Sequence, residues 1–134
     1  MEVVVKEISK GPKAVKCGEH ADYMPEKIIR SEEYPYSDWR PYTAMEKARN
    51  DIERYVDAAK DEVTKAAKDW VGSVKCEGKS NKCPSGKCDR DIELRTGKAS
   101  VVYSYSGNLF RRGNVTCIAT ITGVIQTVHC NCVE

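Results

Sequence analysis

At Gly72 the spacing of apolar residues changes from the period of a helix to that of a strand, and this switch limits the possible folds more than any other feature of the chain. Before it, apolar or small residues recur at Met45, Ala48, Ile52, Val56, Ala59, Val63, Ala66, Ala67 and Trp70. The steps are three or four with one adjacent pair, which gathers these residues on one helix face. Thr43 and Glu46 fit a capping box with Thr43 at the N-cap, and Gly72 is a natural stop. Arg49–Glu53, Asp61–Lys65 and Lys65–Asp69 stand at i,i+4 on the polar side. Much of the apolar face is alanine, which suits close approach to a second layer. The pattern predicts one amphipathic helix over 43–72.

After the switch, residues 71–76 read as a short strand and 77–89 as a polar loop. Ile92 and Leu94, then Ala99, Val101, Tyr103 and Tyr105, give a strand pattern over 90–105. Residues 106–114 read as a connecting loop, and Val115, Cys117, Ala119 and Ile121 alternate in a strand that can run to Cys132. Ahead of the helix, residues 2–8 and 14–17 read as a hairpin about the Lys10-Gly11-Pro12-Lys13 turn. Pro25 with Glu26 behind it suggests a short helix over 25–31. Pro35 and Pro41 make 34–42 an extended connector. The chain of 134 residues is therefore expected to be a single α+β domain, one long helix on an antiparallel sheet of three to five strands.

Seven cysteines in 134 residues is a high density, which disulfides or a metal site would explain, with mostly free thiols as the third reading. If the two long strands form a hairpin about 106–114, Tyr105 lies opposite Val115, Tyr103 opposite Cys117 and Ala99 opposite Ile121, with apolar residues together on one face. Continued without slippage, this register sets Gly97 opposite Gly123, Arg90 opposite Cys130 and Cys88 opposite Cys132. The glycine pair is where a bulge or bend would shift it. Cys76, Cys83, Cys88, Cys130 and Cys132 then converge at one end of the sheet, and Cys117 stands apart as a small core residue. Disulfides are the leading chemistry: Cys83–Cys88 closing a short loop, Cys76 with Cys130 or Cys132, and Cys17 as the sixth partner. A structural zinc site from four of Cys76, Cys83, Cys88, Cys130 and Cys132 is the alternative, although Cys83-x4-Cys88 is a wide spacing for it.

Composition and motifs exclude more functions than they suggest. A net charge of +2 does not call for a polyanionic partner, and the basic spots Lys79, Lys82, Lys87, Arg90 and Arg111-Arg112 lie at opposite ends of the expected hairpin, which argues against nucleic acid. No run is long enough to span a membrane. Residues 1–6, with Glu2 and three apolar residues in a row, do not read as a signal peptide, leaving cytosolic retention or prior removal of a signal with Met1 added. His129 and Cys130 point to opposite faces of a strand and make no thiolate–imidazole pair. No phosphate loop or nucleophile triad is present, and Asp51, Glu53, Asp57, Asp61 and Glu62 read as the solvated side of the helix. Asn114-Val115-Thr116 is a glycosylation sequon that chance readily supplies. The best candidate surface for a protein partner is Tyr34, Tyr36, Trp39, Arg40 and Tyr42, residue types enriched in interface hot spots.

One long helix followed by an antiparallel sheet with cysteines toward its last strands resembles the cystatin arrangement over residues 43–134. The family's Gln-x-Val-x-Gly motif is not met, since Gln126-Thr127-Val128 is followed by His129-Cys130. The resemblance thus implies a layering and not protease inhibition. The resulting expectation is a secreted or periplasmic, disulfide-stabilised binding or structural domain with an unidentified protein partner, no catalysis and no cofactor. An intracellular, cytoplasmic zinc-stabilised adaptor or nucleic-acid-binding module is the second reading, and a thiol redox protein the third.

Overall fold

The computed structural model describes residues 3–7, 10–36, 42–93, 95, 97–107 and 113–133, with the side chains of 3–7 and 36 outside that description. In chain order the elements are β1 (Val3–Glu7), β2 (Ala14–Val15), β3 (His20–Tyr23), β4 (Glu26–Ser31), β5 (Tyr34–Tyr36), α1 (Tyr42–Ser73), β6 (Lys75–Cys76), β7 (Cys88–Glu93), β8 (Ser100–Gly107), β9 (Gly113–Thr122) and β10 (Gln126–Cys132). The class is α+β, with one long helix packed on antiparallel sheet.

The helix buries Ala44, Ala48, Ile52, Val56, Ala59, Val63, Ala67 and Trp70. These steps of three and four are the period that the sequence shows, with Ala44 fully covered and Met45 only partly. The helix begins one residue ahead of Thr43, which therefore sits in the first turn and not at the N-cap. At the other end the helix runs through Gly72 to Ser73, so the strand expected at 71–76 shrinks to β6. Arg49 meets Glu53 at 2.9 Å.

β9 is the centre of a five-stranded sheet. β8 pairs along one side of it, from Ser100↔Thr122 to Gly107↔Val115. On the other side β4 pairs with its second half and β5 with its first, and β1 lies outside β4. Residues 26–31 are thus a strand, not the short helix expected from Pro25 and Glu26. Ile28 and Ile29 sit between two neighbours, and sheet pairing on both sides outweighs a first-turn signal. Nor does the N-terminal hairpin form: β1 pairs β4, while β2 runs parallel to β6.

β4 and β5 act as one strand interrupted by a bulge. Arg30 faces Ile118, so Ser31 stands next in register to Cys117, but Tyr34 faces Val115. Three steps on one strand span two on the other, the mark of a one-residue bulge. At the break the Ser31 hydroxyl takes over the ladder: it accepts from Cys117 N–H at 2.9 Å and donates to Cys117 C=O at 3.1 Å.

The ribbon expected to run unbroken from 88 to 132 divides into two. β10 lies between β3 and β7 in a separate three-stranded sheet. Between Glu93↔Thr127 and Ser100↔Thr122, one strand advances seven residues and the other five. The two extra residues shift Tyr105 from opposite Val115 to opposite Cys117, whereas Cys132↔Cys88 and Cys130↔Arg90 keep the predicted register.

The helix therefore serves two cores. Its first three-quarters pack on Ile29, Tyr34, Val115, Cys117, Ala119 and Ile121 of the large sheet. Its last turn delivers Trp70 and nearby Val74 to Val15, Tyr23, Val128 and Cys130 of the small one. The Trp70 indole N–H donates to Pro12 C=O at 2.7 Å, and its ring lies 5.3 Å from Tyr23. Gly11 passes so close that a Cβ there would sit 2.4 Å from the indole ring.

Candidate functional site

Six cysteines gather around the small sheet as three disulfides: Cys17–Cys88, Cys76–Cys130 and Cys83–Cys132, with Cα–Cα distances of 5.3, 5.5 and 5.5 Å. In chain order the first bonds the fourth, the second the fifth and the third the sixth, so every closed loop contains an end of the other two. No link is local, because the bonded residues stand 71, 54 and 49 positions apart. The short Cys83–Cys88 loop does not form. Cys88 and Cys132 lie opposite each other in the β7–β10 ladder, yet each bonds outward: Cys88 to the turn at Cys17, Cys132 to the loop at Cys83.

Backbone bonds seat that turn and loop. Gly18 N–H donates to Cys130 C=O at 2.6 Å, and Cys130 N–H to Glu19 C=O at 2.9 Å. Ser80 hydroxyl bonds Cys17 C=O and accepts from Cys83 N–H at 3.2 Å. Gly18 has φ of 85°, and a Cβ there would lie 2.8 Å from Lys82 Cβ, so glycine is required on both counts. Cys17, Cys83 and Cys130 are buried.

This pairing removes the ligands that the zinc alternative needs, since Cys76, Cys83, Cys88, Cys130 and Cys132 are each bonded to another sulfur. Among the described residues no group of three His, Cys, Asp or Glu side chains is placed to hold a metal ion. The His129 and His20 rings lie 5.5 Å apart across β10 and β3, and His129 Nε2 is 3.5 Å from a Glu93 carboxylate oxygen.

Cys117 is free and fully buried in the large core. Burial pushes its thiol above the usual range, against smaller lowering effects from the Tyr105 hydroxyl and the Arg49 charge. Arg49 sits 4.7 Å above the Tyr103 ring. Burial likewise raises the Tyr103 and Tyr105 hydroxyls.

The expected aromatic surface divides. Tyr34 is a core residue facing Val115, whereas Tyr42 is 77% exposed at the first position of the helix. Tyr36 pairs through its backbone with Gly113; its side chain, Trp39 and Arg40 lie outside the described residues, as do Arg111 and Arg112.

Where the two sheets part, a cleft of about 460 Å³ opens between Thr64, Ala67, Lys68 and Val71 of α1 and Arg95, Gly97, Val124 and Gln126 of the sheet junction. Its volume is that of a small-molecule pocket. Ala67, Val71, Gly97 and Val124 give it apolar walls, and Lys68 and Arg95 put two cations at its edge. Arg95 is 3.7 Å from Glu93 and half exposed. No local motif announces this cleft, because its residues come from three separated segments. The one sequence signal is the Gly97/Gly123 pair, which marks a bulge or bend.

Comparison with family models, with curated proteins and with solved structures finds no match.

Proposed function

We propose that this chain is an extracytoplasmic binding domain without catalysis or cofactor, held by its three disulfides. The observation that carries this reading is the spending of six of seven cysteines in interlaced long-range disulfides. Loops of this length contribute about 4 kcal/mol each in the chain-entropy account, and such bonds persist in oxidising compartments. The concave surface for a ligand is the cleft beside α1. Its apolar walls and two edge cations suit a small molecule with an apolar body and an anionic group.

Alkylation followed by intact-mass measurement tests the framework. One thiol is expected to react in denaturant without reductant, and seven after reduction. Five or more reactive thiols before reduction would overturn the reading. A single reactive thiol that is not Cys117 would overturn the pairing.

A further inference from the structure

Edge strands expose a row of unpaired backbone donors and acceptors, and proteins guard them with charge, proline, a bulge or shortness. Nearly every described edge here is guarded in this way. β1 carries Lys6 and Glu7, β5 carries Pro35, β3 carries His20 and Asp22, and β7 carries Asp89, Arg90, Asp91 and Glu93. β2 and β6 are two residues long. β8 is the exception. Its eight residues, Ser-Val-Val-Tyr-Ser-Tyr-Ser-Gly, contain no charge and no proline. Its register with β9 is continuous, without a bulge, and among the described residues no strand pairs its other side. Val102, between Ser100 and Ser104 on the face away from the helix, is 64% exposed.

We propose that β8 is a pairing edge for a second copy of this chain, two β8 strands joining antiparallel about a two-fold axis so that both five-stranded sheets become one. Three features favour a second copy as the occupant. An antiparallel register that pairs residues of like parity matches tyrosine and valine with each other on the helix side, and serine and Val102 on the far side, so the strand is complementary to itself. With no charge in β8, the two-fold axis brings no like charges together within the strand. Beside the edge, Arg49 stacks on Tyr103 and bonds Glu53. The helix side of the edge therefore carries one charge of each sign, which does not repel a second copy brought there by the two-fold axis.

Sedimentation over roughly 1–200 µM tests this, a range chosen to span weak self-association. The wild type is expected to pass from 15.0 kDa toward twice that mass. Val102→Lys, and separately Ser104→Lys, replace exposed side chains and install the missing guard. Each is expected to weaken dimerisation at least tenfold while leaving the circular dichroism spectrum and the melting temperature at low concentration unchanged. Hydrogen exchange of the wild type is expected to show protection of the outward β8 amides that rises with concentration. A wild type that stays monomeric throughout, including one that instead captures an extended peptide, would overturn the proposal. So would a dimer unaffected by both lysines, or one whose β8 amides exchange as freely as in the monomer.

Discussion

Ser31→Ala tests whether a side chain replaces a missing rung of the sheet. The hydroxyl is 1% exposed and makes two bonds to the Cys117 backbone, at 2.9 and 3.1 Å. It does so where the β4–β5 bulge carries the neighbouring backbone away. Alanine fits the space but leaves the Cys117 N–H and C=O buried without this partner. An unsatisfied buried group costs about 1–3 kcal/mol, so a loss of about 2 kcal/mol is expected. For 134 residues the unfolding entropy is about 0.28 kcal/mol/K, which converts that loss to a fall of about 7 °C in melting temperature. Ser104→Ala is the matched control. Its hydroxyl also bonds a β9 carbonyl, that of Ile118 at 3.5 Å, but in an exposed position, and surface changes of this kind stay within about 0.5 kcal/mol. Chemical denaturation of both variants, with hydrogen exchange at the Cys117 amide, reads the result. If Ser31→Ala costs no more than Ser104→Ala, or the Cys117 amide keeps its protection, the hydroxyl is not carrying the ladder across the bulge.

Titration with decanoate, followed by amide shifts, is expected to perturb Thr64, Ala67, Lys68, Val71, Gly97, Val124 and Gln126, with Lys68→Glu weakening binding at least fivefold; shifts scattered elsewhere would remove the cleft as the ligand site. Stability should also depend on alkaline pH. The folded Cys117 thiol titrates above its unfolded value, so its contribution is whole below about pH 8.5 and is lost as pH rises through the folded value, with Tyr103 and Tyr105 adding a second loss above about pH 10. Cys117→Ala is expected to flatten the first decline and keep the second, and an unchanged slope between pH 8.5 and 10 would refute the assignment.

What the chain determines by itself is what local spacing can encode. The α1 face follows from steps of three and four, which place Ala48, Ile52, Val56 and Val63 on one side whatever packs there. The alternation of β8 and β9 is equally local, and it shows the limit of such reasoning. A slip of two residues leaves every side chain on its original face, so the alternation does not distinguish Tyr105 opposite Val115 from Tyr105 opposite Cys117. Where no extra residue intervenes, in Cys88 opposite Cys132, the register is as read from the sequence. Tertiary structure decided the rest because the competing states differ only in distant partners. Residues 26–31 have a helix-start signal and become a strand because β1 and β9 flank them. Six cysteines admit fifteen pairings, and only the placement of the Cys17 turn and the Cys83 loop beside β10 selects one. The cleft lies where the ribbon breaks between Glu93 and Ser100 and its two halves enter separate sheets, a place that no local pattern encodes.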